Sequence, residues 1–89
     1  MLCPKIVEIE ALDNYKVKLK YETGETKIFD VLPYISGKWY EELYDNSYFK
    51  TVHLISGGKG IEWEHGQDIA PHELYDMSIS EIAPPQNPR

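Results

Sequence analysis

Two stretches of strict alternation, carrying opposite charges, constrain this chain more than anything else in it. Val7, Ile9 and Ala11 alternate with Glu8 and Glu10. After the turn-forming pair Asp13-Asn14, Tyr15, Val17, Leu19 and Tyr21 alternate with Lys16, Lys18 and Lys20. Period two gives a strand with one apolar and one wet face, and Asp-Asn supplies the turn between two such strands. Paired antiparallel, the strands set the acids against the lysine row, where each opposite-charge pair contributes about 0.2–1 kcal/mol. The lysine row therefore reads as a solvated strand face and not as a binding patch.

Thr23-Gly24 punctuates, and Thr26–Val31 reads as a third strand in meander order that Pro33 ends. From Tyr34 to Phe49 the signal turns helical but broken: Gly37 interrupts it, and Asp45-Asn46 offers an N-cap before a short Ser47–Lys50 turn. Thr51–Ile55 and Ile61–Trp63 bracket Ser56-Gly57-Gly58-Lys59-Gly60, the pattern of a second hairpin with a glycine-rich tip. A phosphate loop would need Gly-x-x-x-x-Gly-Lys-Ser/Thr leading into a helix, whereas here Gly follows the Lys and a strand follows that. Ile61 and Trp63 alternate with Glu62 and Glu64 until His65-Gly66 breaks the pattern, and Gly66 is free to take positive φ. Pro71 suits a first helical turn, Glu73 faces its positive end, and Leu74 with Met77, or Tyr75 with Ile79, point inward at helical spacing. The expectation is α+β: a small antiparallel sheet, as a three-stranded meander plus a second hairpin, with two or three short helices in one domain over 1–80. The proline-bearing 81–89 reads as a disordered tail.

Charge and cysteine usage narrow the function. Nine Lys and Arg stand against fifteen Asp and Glu, a net charge of −6, which repels phosphate backbones and favours a basic partner over direct nucleic-acid binding. The single Cys3 has no partner within the chain, which speaks against a disulfide scaffold and for a reducing compartment. No apolar run approaches the roughly 18 residues of a membrane span, and the charged-then-apolar order of a signal peptide is missing, so the chain is expected in the cytoplasm.

Reactive constellations are sparse. His53, His65 and His72, with Cys3, Asp68 and Glu73, are the only metal-capable set, and they lack the tight pairing of ligands that zinc sites use; no metal or cofactor is expected. Asp68 reads as a residue bonding backbone N–H groups at the turn or helix start. Glu62 and Glu64 share a strand face and Glu41-Glu42 are adjacent, so neither pair frames a hydrolytic cleft. An enzyme is not expected. The aromatic set Tyr34, Trp39, Tyr40, Tyr44 and Tyr48 is too bulky to be buried whole in so small a domain. Trp39 and Tyr40, beside Glu41 and Glu42, are the candidate contact for a basic protein partner. Open strand edges offer a second route, by homodimerisation. The alternative reading is a small-ligand domain with Trp63, His65 and Tyr75 lining a pocket at the strand-to-helix turn.

The succession Ile6-Val7, Leu19-x-Tyr21-x-x-Gly24-Glu25-x-x-x-Phe29-Asp30-Val31, Phe49-x-x-Val52 and Ile61-x-Trp63-x-x-Gly66-x-Asp68-Ile69-x-Pro71-x-x-Leu74-Tyr75 resembles the bacterial domain of unknown function 2442 family. The resemblance runs from about Pro4 to Tyr75 and is most specific in its last block. It implies a small α+β domain, and members similar to partners in two-gene, toxin–antitoxin-like arrangements, some with an added helix-turn-helix domain for which this chain has no room. The segment Gly37–Tyr44 is more aromatic than the family's usual stretch. The resemblance carries no catalytic residues over. The chain is thus expected to be a non-enzymatic interaction module, the antitoxin-like member of a protein pair.

Overall fold

The computed structural model describes residues 3–80, and the proline-bearing 81–89 lies outside them. Strands β1 (Ile6–Leu12), β2 (Lys16–Tyr21) and β3 (Thr26–Asp30) form the meander. Three short helices follow or interleave with the second half of the chain: α1 (Gly37–Glu41), α2 (Asn46–Phe49) and α3 (Pro71–Met77). The second sheet is β4 (His53–Leu54), β5 (Ile61–Glu62) and β6 (Asp68–Ile69), and the last strand, β7 (Ile79–Ser80), returns to the first sheet, whose order is β1-β2-β3-β7. The architecture is a small α+β fold of two antiparallel sheets.

The register of the meander is the one the charges ask for. Glu8 stands opposite Lys20, Glu10 opposite Lys18, and Asp30 opposite Lys16, so each lysine of β2 has one acid directly across from it on the wet face. The inner face carries Val17, Leu19, Tyr21 and Phe29 into the core. The phase of β1 differs from simple alternation: a register shift between Ile6 and Glu8 turns Ile6 inward and leaves Val7 49% exposed. The β1–β2 connection is a 3-10 turn, Asp13–Tyr15, in which Asn14 and Tyr15 take φ of 62° and 61°. Asn tolerates this region, but Tyr does so at a cost. Tyr15 is held there by edge-on packing against Tyr44 and Phe49 and by donating its hydroxyl to the Tyr44 carbonyl at 2.6 Å.

The second half packs on that face. Asp45 caps α2 by accepting from the Ser47 amide at 2.9 Å, the capping role that its sequence position suggested. Trp63, 1% exposed, lies against Phe49 and donates its indole N–H to the Phe49 carbonyl at 2.8 Å. Pro71 opens α3 and Leu74 is its buried residue, while Met77 is 62% exposed and turned away from the core. Two local readings change. Asp68-Ile69 is a strand before it is a helix approach, and Ile79, 75% exposed, belongs to β7 and not to the inner face of α3. Ser78 explains the latter: it is extended at ψ 158°, which ends the helix at Met77, two residues short of the Ile79 that the apolar spacing requires.

Candidate functional site

The turn between β5 and β6 places a buried side chain with three hydrogen-bond partners. Trp63 N–H donates to the Gln67 carbonyl at 2.8 Å and Gly66 N–H to the Trp63 carbonyl at 2.9 Å, closing a tight turn in which Gly66 has φ of 99°. Its exit puts Gln67 in phase with Ile69, so the Gln67 side chain points into the protein and has no exposed surface. Its Nε2 donates to the Trp39 carbonyl at 2.9 Å and to Glu42 Oε1 at 3.0 Å, and its Oε1 accepts from the Tyr48 hydroxyl at 2.6 Å. Both amide hydrogens and a carbonyl lone pair are thereby used, which makes a buried amide tolerable.

A second ring of contacts closes on the same residues. The Tyr48 oxygen accepts from the His65 amide at 2.8 Å, and the Tyr48 and His65 rings stack with centroids 5.0 Å apart. His65 Nδ1 lies 2.7 Å from Glu42 Oε2. The hydrogen bond from His65, and then that from Gln67, hold the Glu42 carboxyl below the usual carboxylate range, against the smaller opposing effect of desolvation. Glu42 is therefore a fixed negative charge at the surface.

Above this network lies Trp39. Its main chain is pinned by Gln67, its indole lies over Gly66 within ordinary van der Waals distance of where a Cβ would be, and it is 56% exposed. Glu41 is exposed beside it. Tyr40 points the other way: it is half-buried against the core and donates its hydroxyl to the Asp68 carbonyl at 3.4 Å, which ties α1 to β6. Of the four expected contact residues, Trp39, Glu41 and Glu42 reach solvent and Tyr40 supports them. Gln67 escaped the sequence reading, although its alternation with Ile69 across exposed Asp68 was the available signal.

The three residues expected around one ligand pocket are held by three separate sets of partners. Trp63 is in the core, His65 is on the Glu42–Tyr48 ring, and Tyr75 packs edge-on against Tyr21 and donates its hydroxyl to Glu25 Oε1 and Oε2 at 2.9 and 3.1 Å. The metal-capable residues are likewise engaged elsewhere: His53 pairs with Glu62 at 3.1 Å and Glu73 accepts from the Tyr34 hydroxyl. Among the described residues no three His, Cys, Asp or Glu side chains converge on a common point. Among the described residues, too, no helix is long and apolar enough to cross a membrane.

A family model described as protein of unknown function (DUF2442) matches residues 6–80, a span that takes in every strand and helix above. No curated protein and no solved structure matches the chain.

Proposed function

This chain belongs to the DUF2442 family, and we propose that it is a non-enzymatic interaction module of the cytoplasm, the antitoxin-like member of a protein pair, which takes a basic partner on its Trp39 face. The observation that carries the reading is the exposed Trp39 indole on an immobilised backbone. A large aromatic surface that needs no ordering on association loses little entropy, and residues of this type dominate interface energetics. Glu41 and Glu42 flank it. A carboxylate kept ionised by His65 and Gln67 steers a basic partner and disfavours an acidic one. The pair assignment rests on the family resemblance.

The test is affinity capture of the tagged chain from the lysate of its native host, with Trp39→Glu as control. Tyr40 is left intact, because it supports α1 from inside. One basic protein held in stoichiometric amount by the native chain, released by salt and lost by the variant, is the expected result. Equal capture by a folded variant removes Trp39 from the interface. A homodimer through a strand edge is a separate outcome, read from the chain's own mass in solution. It would use β1 or β7 of the first sheet or β4 or β6 of the second, and the Ile6 end of β1 is already occupied by the Gly58 carbonyl at 3.1 Å.

A further inference from the structure

One buried amide holds an indole and a carboxylate in a fixed relation. Gln67 donates from its Nε2 both to the Trp39 carbonyl and to Glu42 Oε1. Glu42, at φ −57° and ψ −28°, continues the turn of α1, so Trp39 and Glu42 stand three positions apart on one helical face. The far end of the indole is placed from the same turn: Cζ2 and Cη2 of its six-membered ring lie 3.5 and 3.7 Å from where a Cβ on Gly66 would be, and the preceding residue, His65, holds Glu42 Oε2 at 2.7 Å. Ring and carboxylate thus form one ledge, and both are open to solvent, the Trp39 residue at 56% and the Glu42 side chain at 41%.

Both halves of the ledge have capacity to spare. Each Glu42 oxygen accepts one hydrogen bond, and a carboxylate oxygen has room for another. Among the described residues no cation lies over the Trp39 ring, and Lys38, one turn before Glu42, forms no ion pair with it. A flat cation suits this pairing. A guanidinium lies flat on an aromatic face while its N–H groups reach a carboxylate beside the ring, whereas an ammonium is compact, more strongly hydrated and gains less from the ring. Exposed Glu41 and the net charge of −6 add attraction for any cation without choosing between the two.

We propose that the ledge is an arginine site, where one guanidinium of the basic partner lies on the Trp39 ring and donates to the Glu42 carboxylate. The inference rests on the Trp39 face being the interface, and it adds which side chain that face selects.

The probes are labelled hexa-arginine and hexa-lysine peptides, each mixed with the full chain and followed by fluorescence anisotropy at one salt concentration. The two carry the same charge, so long-range attraction by the acidic chain cancels in the ratio of their affinities. Hexa-arginine should bind about threefold tighter, the worth of one exposed cation–π contact. Trp39→Leu keeps an apolar side chain and removes the π face, and should bring the ratio close to one. Glu42→Gln should weaken hexa-arginine about threefold, the worth of one exposed ion pair. Glu8→Gln, on the wet face of the meander, should weaken both peptides alike and leave the ratio unchanged. Equal affinities in the native chain, or an arginine preference that survives Trp39→Leu, overturn the proposal. Neither result bears on the affinity capture, and an arginine preference lost with the indole stands even where the lysate yields no protein.

Discussion

The side-chain amide of Gln67 donates to the main-chain carbonyl of Trp39 at 2.9 Å, so a residue with no exposed surface sets the position of an indole that is 56% exposed. Replacing that amide with a shape-matched apolar group takes the donor from the Trp39 carbonyl and the acceptor from the Tyr48 O–H together. Gln67→Leu is expected to lose about 2–4 kcal/mol of stability, measured by urea unfolding, because buried polar groups without partners cost this much. A loss below 1 kcal/mol would show that these groups find other partners.

Gly58 brings the β4–β5 loop against the Ile6 main chain of the first sheet. A Cβ there would lie 2.4 Å from the Ile6 carbonyl oxygen, and φ is 67°. Gly58→Ala therefore meets both a backbone clash and left-handed strain, an expected cost of roughly 2–4 kcal/mol. Gly24→Ala is the control, since its φ is 95° but nothing lies within 4 Å of a Cβ. It should cost about 1 kcal/mol, from strain alone. Comparable losses at the two positions would remove the steric part of the account.

Two ion pairs set the pH response in opposite directions. Glu42 has a folded-state pKa below that of the unfolded chain, so its stabilisation is present above the usual carboxylate range and is lost as pH falls through the folded value. His53 is raised, first by Glu62 and then by the Thr51 carbonyl, so its contribution is complete below the usual 6.5 and is lost as pH rises through the folded value. Urea midpoints at stepped pH should show a shallower acid limb in Glu42→Gln and a shallower neutral limb in His53→Gln. The reverse assignment of limbs would refute the scheme.

Tyr34 gives an alkaline marker. Its hydrogen bond to Glu73, and to a lesser degree desolvation, raise the phenol to about 12. The folded state thus holds this proton more tightly than the unfolded chain, and the stability it adds is present below the usual tyrosine value of about 10 and disappears as pH rises toward the folded one. Tyr34→Phe should delete a late component of the tyrosinate absorbance titration, and Glu73→Gln should move that component to lower pH.

The two tryptophans differ in burial, with Trp63 at 1% and Trp39 at 56% exposed. Acrylamide should quench one of two emitting populations readily and the other weakly. Trp39→Phe should remove the accessible population with little loss of stability, as exposed positions generally allow. A single uniformly quenched population in the native chain would contradict the burial of Trp63.

What was legible in the sequence is what local chemistry dictates. The placing of Glu8 and Glu10 against the lysine row, the Asp45 cap and the turn at Gly66 each follow from residues within one hairpin or one turn. The inward direction of Gln67 was hidden because a polar residue after a glycine turn reads as loop, and only its phase with Ile69 betrays a strand. Ile79 was misplaced for a different reason: its partner is Ile28, far back in the chain, and no helical period announces such a pairing. The Val7 phase was lost to a bulge, which leaves no mark in an alternating pattern. Exposure of Trp39 with burial of Tyr40 rests on which face of one helical turn meets β6, a tertiary fact that a cluster of aromatic residues does not encode.

The Ile6–Gly58 hydrogen bond has a kinetic meaning as well. The meander and the second sheet are each made of hairpins between neighbours in sequence, pairings that form early because their loops are short. Docking Gly58 on Ile6 closes a loop holding most of the chain, so it waits until both halves exist. In pulse-labelling hydrogen exchange, the Ile6 amide is then the one that should gain protection last among the strand amides of the meander, and its lag behind Leu19 would time the joining of the two halves.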